Sequence, residues 1–169
     1  DFQNEIGEFG DKPIVVKDYV KSQKHYWKEA CFIPNAADRE KVNSVVSKFV
    51  ELQESDLNEG LVFREFVELE ELTNHSESGM PLTKEFRVFV KNGQIMTIFK
   101  YWDEGDYQDA EPIVDEFDEV IPKIKSNFFT MDIAKKKDGN WIIVELGDGQ
   151  VAGLSDNADK DEFYNELKK

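Results

Sequence analysis

Three acidic residues late in the sequence, Asp132, Glu145 and Asp148, have the types and surroundings that best suit chemistry. Asp132 lies in the run Phe128-Phe-Thr-Met-Asp-Ile-Ala134, and Glu145 in Trp141-Ile-Ile-Val-Glu-Leu-Gly-Asp-Gly-Gln150. A carboxylate within an apolar run is costly to bury unless it shares a cation or a hydrogen-bond donor. Two hard oxygen donors side by side suit Mg²⁺ that also holds phosphate oxygens. Asp148 follows Glu145 by three residues within Gly-Asp-Gly, so it is either a further oxygen ligand or a turn residue.

The cations form a second set. Glu85-Phe-Arg87 alternates, which puts Glu85 and Arg87 on one face of a strand. Arg87 either neutralises the acidic strands or binds a transferred phosphate. Lys100, in the next apolar run, is another candidate cation. Lys17, within Ile14-Val-Val-Lys-Asp-Tyr-Val20, either lies on the solvent side of an edge strand or grips a polyphosphate together with Lys21, Lys24 and His25. Arg64, inside Leu61-Val-Phe-Arg-Glu-Phe-Val-Glu-Leu69, is either part of an ion pair or belongs to a strand that passes a nucleotide.

The elements that must hold these groups follow from pattern. Strands are predicted over Pro13–Val20, Leu61–Leu69, Lys84–Val90, Gln94–Trp102, Phe128–Ala134 and from Trp141 onward. Asn92-Gly93 between apolar runs signals a hairpin. Val42, Val45, Val46, Phe49 and Val50 share a face of a helix over Asp38–Glu54, with Asp38 as its N-cap. Val114, Phe117, Val120, Ile121 and Ile124 predict a second helix over Glu111–Ser126, which Pro122 kinks or divides. A short helix starts at Asp159. Residues 1–12 read as a polar lead-in, and Glu70–Met80 as a loop. Consecutive hairpins with helices make the fold class α+β, a mainly antiparallel sheet packed against helices.

Composition narrows the function classes. The 169 residues, 40% of them hydrophobic, can bury a core in one domain. A net charge of −15, from 21 Lys and Arg against 36 Asp and Glu, argues against nucleic acid or an anionic membrane as partner. Cys31 is the single cysteine, so an internal disulfide and a cysteine metal cluster are excluded. His25 and His75 stand apart and make no zinc set. There is no GxxxxGK[ST], no GxSxG and no secretory signal, and a cytoplasmic location is the default expectation.

Taken together, Pro13–Ser22, Gly60–Leu69, Glu85–Val90, Phe128–Ala134 and Trp141–Leu154 resemble the ATP-grasp superfamily. Within it they are most similar to a clade of small bacterial and phage ATP-grasp domains related to the eukaryotic cell-division-cycle ATP-grasp proteins. The resemblance implies ATP and Mg²⁺ as cofactors. Lys17 and Arg87 match groups that act on phosphate. Lys21 matches an added phosphate ligand in a flexible loop, Asp18–Ser22. Glu65, Phe66 and Val67 match the hinge whose backbone meets adenine, with Arg64 beside it. Glu68 or Glu70 matches the ribose position, and Lys100 adds a cation. Asp132 and Glu145 match the metal carboxylates. The family usually has Asn where this sequence has Gly147, and Asp148 or Gln150 is expected to substitute. An N-terminal domain is expected to be missing before the nucleotide-binding core, residues 13–169.

The implied activity is ATP-dependent ligation of a carboxylate to an amine or thiol through an acyl phosphate. The alternative is a non-catalytic ATP-binding module in assembly or regulation. Glu59-Gly-Leu-Val-Phe-Arg64 superficially resembles a strand of lysine-nucleotidylating ligases, but their KxDG motif is absent.

Overall fold

The computed structural model describes residues 2–76, 81–108, 110–156 and 158–169, without the side chains of Phe2, Gln3 and Lys24. The chain forms two compact units, Asp1–Val67 and Glu68–Lys169.

In the first unit, β1 (Ile14–Asp18) is the middle strand of a sheet ordered β2-β1-β3, with β2 Phe32–Ile33 and β3 Leu61–Glu65. All pairings are antiparallel. Burial alternates along β1: Ile14, Val16 and Asp18 point inward, while Val15 and Lys17 face the other way. Helix α3 (Arg39–Gln53) covers the inward face with Val42, Val45, Val46 and Phe49. Each such side chain contributes about 1.5–3 kcal/mol of burial. Val50 falls off this stripe and is exposed. Asp38 caps α3 by accepting from the Lys41 N–H at 3.0 Å. The segment expected as a lead-in carries α1 (Phe2–Ile6) and a 3₁₀ turn, Gly7–Phe9, and Ile6 and Phe9 pack into this core. A short helix, α2 (Trp27–Ala30), had no legible sequence pattern.

The second unit is built on a four-stranded antiparallel sheet. Its strands are β6 (Glu85–Lys91), β7 (Gln94–Lys100), β8 (Phe128–Lys135) and β9 (Trp141–Asp148), ordered β7-β6-β8-β9. Asn92 and Gly93, with φ of 51° and 76°, make the tight β6–β7 turn. Where a loop was expected, β4 (Glu71–Asn74) pairs with β5 (Pro81–Thr83); residues 77–80 of that stretch lie outside the described residues.

The helix expected over Glu111–Ser126 is not formed. Two 3₁₀ turns, Asp115–Phe117 and Ile121–Lys123, replace it, with Pro122 opening the second because it has no N–H to continue a helix. The apolar spacing still serves burial, since Val114, Phe117, Ile121 and Ile124 pack onto the sheet with Phe86, Val88, Met131, Ile133 and Trp141. The opposite face receives α4 (Lys160–Leu167), whose Phe163 meets Phe89 at 4.9 Å between ring centres; Asp159 caps it from the Glu162 N–H at 2.9 Å.

Candidate functional site

The second unit brings three of the candidates into one row. Arg87 on β6 pairs with Asp132 on β8, and Asp132 pairs with Glu145 on β9. Side chains directly opposite each other in a sheet share a face, so all three project together. A β-bulge makes this possible. Ile133 pairs with Ile143, yet Asp132 pairs with Glu145, so Val144 is the extra residue. Had the count run straight, with Val144 opposite Asp132, Glu145 would follow Trp141 and Ile143 onto the apolar face. The bulge turns it to the face of Asp132.

The Arg87 guanidinium grips Asp132 with two parallel bonds, Nε to Oδ1 and Nη2 to Oδ2, both 2.8 Å. Nη1 donates to the Gly153 carbonyl at 2.9 Å, and the guanidinium carbon lies 4.8 Å from the centre of the Tyr101 ring. The Asp132 side chain is 6% exposed and that of Arg87 20%. Asp132 holds the Arg87 guanidinium above its already high ordinary pKa, against the burial that pushes it down. Burial pushes the Tyr101 phenol up, opposed by Arg87. A buried ion pair adds little net stability compared with apolar replacements, so its presence calls for another role.

Asp148 does not join the row. It pairs with Phe129, whose ring faces the apolar core, so Asp148 points to the other face from Glu145 and is exposed. Its Oδ1 accepts from the Gln150 N–H at 2.9 Å, which makes it a turn residue. Lys100 also lies on the opposite face from Arg87, paired with Phe86, and its Nζ sits 5.2 Å from the centre of the Tyr107 ring. At Gly147 a β-carbon would sit 2.7 Å from Thr130 Oγ1, so the asparagine usual there in the family has no room beside Thr130. Glu68 is exposed with Lys137 Nζ 3.9 Å away, and Glu70 is held by Lys84 at 2.5 Å and Lys135 at 2.9 Å. Those lysine bonds keep the Glu70 carboxyl below its ordinary range.

The first unit holds the remaining candidates. Lys17 and Arg64 share the face of the sheet away from α3, opposite Val62 and Val15 respectively. Phe66 is on the same face and packs with Trp27 and Phe32, at 6.0 and 5.0 Å between ring centres. The Phe66 N–H is already given to the Pro13 carbonyl at 2.9 Å. Glu65 is exposed and paired with Lys12 at 2.8 Å; Val67 is half-buried. Lys21 is exposed, 3.3 Å from Asp56. The side chain of Lys24 lies outside the described residues.

One residue of consequence was not singled out from the sequence. Asp18 is fully buried, and its carboxylate accepts from Val20 N–H (2.7 Å), Lys21 N–H, Gln53 Nε2 (2.7 Å) and Asn58 N–H (3.2 Å). Gln53 in turn accepts from Gln23 at 2.7 Å, and the Asp18 N–H closes the loop onto the Lys21 carbonyl at 3.0 Å. Burial pushes the Asp18 carboxyl up, but the three backbone N–H groups and Gln53 outweigh it and hold it below its ordinary value. The segment expected to be a flexible phosphate loop is therefore pinned at both ends. The only signal in the sequence was an acid at the end of an apolar strand.

Comparison with known proteins follows the geometry. A family model for an ATP-grasp domain, family 3 of its clade, matches residues 6–167. No curated protein sequence matches the chain. Among solved structures, the ATP-grasp ligase PsnB complexed with precursor peptide PsnA2 and AMPPNP is similar with a TM-score of 0.50 and 13% identity, over 97% of this chain and 44% of that one. Macrocyclase MdnC bound with precursor peptide MdnA, from Microcystis aeruginosa MRC, gives 0.46 and 15%, over 98% and 48%. D-alanyl-alanine synthetase A from Vibrio cholerae O1 biovar eltor str. N16961 gives 0.46 and 14%, over 98% and 48%. The chain thus spans less than half the length of these proteins. The PsnB likeness is one of fold, and it agrees with the α+β ATP-grasp architecture expected from the sequence.

Proposed function

The chain belongs to this ATP-grasp domain family, and from that membership we propose that it binds Mg-ATP and serves an ATP-dependent carboxylate–amine or carboxylate–thiol ligase. The observation that carries this reading is the row Arg87–Asp132–Glu145 across three paired strands. Among the described residues no group of three His, Cys, Asp or Glu side chains is placed to hold a metal. Two carboxylates alone suit Mg²⁺, which commonly takes one or two protein carboxylates and completes its shell with phosphate oxygens and water. Asp132 and Glu145 would hold it, and when bound it neutralises charge on the nucleotide phosphates.

The residues of the chain have separable tasks in this scheme. Arg87, held by Asp132 and the Gly153 carbonyl, presents a fixed positive charge to the phosphoryl group in transfer. Lys17 and Lys21 contact the phosphates, the latter from a loop set by Asp18. Arg64, Phe66 and the backbone of Glu65 and Val67 meet the nucleoside, and Glu68 meets the ribose. A substrate carboxylate oxygen attacks the γ-phosphorus, and the bond to the bridging oxygen breaks as ADP leaves. An amine or thiol then attacks the acyl carbon and phosphate departs, with the proton of the nucleophile passing to solvent.

The test is thermal unfolding with Mg²⁺ and ATP, ADP or GTP, beside Lys17→Ala and Asp132→Asn. ATP at a hundredfold over its dissociation constant adds about 2.7 kcal/mol. For a chain of this size that is a shift of about 5–11 °C. The expected shift needs magnesium, prefers adenine and shrinks in both variants. No shift with any nucleotide overturns the reading.

One observation favours the second reading, ATP binding without turnover: both oxygens of Asp132 are already engaged by Arg87. Acceptor-stimulated phosphate release by the full-length protein would remove it.

A further inference from the structure

Beside Arg87 the second unit opens a cleft of about 340 Å³, lined by Arg87, Tyr101, Trp102, Asp103, Glu104 and the backbone turn Gly153–Ser155, with His75 at its margin. We infer that this cleft is the acceptor subsite and that it selects a positively charged amine or guanidinium group over neutral and thiol acceptors. The inference rests on the ligase reading above and adds to it the class of the second substrate.

The wall formed by residues 101–105 is built rather than loose. Tyr101 N–H donates to the Glu85 carbonyl at 3.0 Å. Trp102 N–H donates to the Tyr107 hydroxyl at 3.1 Å, and that hydroxyl donates to the Glu85 carbonyl at 2.9 Å. Tyr107 is itself 1% exposed, and burial pushes its phenol up to about 12, so it stays a neutral donor. Gly105, at φ +88°, lies so close to β4 that a β-carbon there would sit 2.6 Å from Leu72 Cγ. Glu104 is fixed from β4 by the Ser76 N–H at 2.8 Å and by His75 at 3.6 Å. A preformed wall of this kind spares a ligand the cost of ordering it.

Its chemistry is directional. Tyr101 and Trp102 present aromatic rings 4.7 Å apart between centres, and Asp103 and Glu104 follow directly in the chain. Aromatic faces with carboxylates beside them attract ammonium and guanidinium groups twice over, by ring quadrupole and by charge. A thiol gains neither. The Arg87 end of the cleft suits the carboxylate partner instead. The volume is at the lower end for ligand pockets, room for an amino acid or a short peptide segment.

The experiment measures binding of lysinamide, argininamide and uncharged norleucinamide to the intact chain, read by NMR at the Tyr101 and Trp102 signals, with and without Mg-ATP. Lysinamide and argininamide should bind at least about tenfold tighter than norleucinamide, a difference of about 1.4 kcal/mol. The preference should fall in Asp103→Asn and Glu104→Gln and persist in Glu51→Gln, an acid of the first unit. A lysine-terminated peptide that binds tighter than lysinamide identifies a polypeptide source for the acceptor, and equal binding identifies a free small molecule; both outcomes support the subsite. Equal binding of charged and neutral amides, unmoved Tyr101 and Trp102 signals, or an equal loss in Glu51→Gln overturns it. Nucleotide binding is scored separately. ATP bound without cation preference sinks the subsite alone, and cation preference without ATP binding sinks the ligase reading alone.

Discussion

Replacing Asp18 with asparagine tests whether one buried carboxylate holds the loop that follows Lys17. Oδ1 faces the N–H groups of Val20 and Lys21, and Oδ2 faces Gln53 Nε2 and the Asn58 N–H. An asparagine amide must turn its NH₂ toward one of these pairs, donor against donors, so two hydrogen bonds go in either orientation. Gln53 cannot flip to compensate without losing its bond from Gln23. Hydrogen bonds to a charged group contribute about 1.5–3 kcal/mol each, and stranded buried donors cost about 1–3 kcal/mol. We expect Asp18→Asn to lose about 3–5 kcal/mol at pH 7, read from urea unfolding by tryptophan fluorescence, with Lys21 no longer held for phosphate. The sign with pH follows from the lowered carboxyl. Its contribution is full above the unfolded value of about 3.8 and is lost as pH falls through the lower folded value, so the gap between wild type and variant should close there. A loss below about 1 kcal/mol at pH 7, or a gap that stays constant below pH 3.8, would refute the argument.

Two further predictions concern other parts of the chain. Gly147→Ala places a β-carbon 2.7 Å from Thr130 Oγ1 and should cost about 1–3 kcal/mol in thermal unfolding. Most of that cost should return in the double variant with Thr130→Ala, and an equal cost in both backgrounds would show that the contact is not the cause. Cys31 is 4% exposed, and burial pushes its thiol up to about 11 against a weaker opposing effect of Lys17. Maleimide labelling of the native protein at pH 8 should therefore run at least about a hundredfold slower than in urea; equal rates would show the thiol open.

Local chemistry was legible in the sequence wherever one short stretch decided the outcome. Asp38 and Asp159 cap helices because an aspartate beside an apolar period has little else to do, and Asn92-Gly93 turns a hairpin because both residues accept positive φ. The two acidic strands and Arg87 were legible as types, but their alignment was not. It depends on the extra residue Val144, and hydrophobic alternation does not register one skipped partner. The segment from Glu111 shows the reverse case. Its apolar spacing reported burial correctly and conformation wrongly, because a missing N–H at Pro122 outweighs periodicity. Asp18 escaped notice because its partners, Gln53 and Asn58, are brought to it by the tertiary fold.

The bulge at Val144 gives β9 one residue of slack, and that slack works in one direction only. Between Trp141 and Glu145 the strand spends five residues on the four partners Lys135, Ile133, Asp132 and Ala134. Losing any one of Ile142, Ile143 or Val144 would leave four residues for four partners. The strand could then straighten, with Trp141 still opposite Lys135 and Glu145 still opposite Asp132. Gaining a residue in the same stretch has no such remedy, because the ladder already carries one residue too many and must open wider or slide. Shortening and lengthening therefore act unequally on the proposed metal ligand. Two such domains could differ in strand length by one and still aim the same acid at the same neighbour, while simple counting from Trp141 would assign those acids to opposite faces.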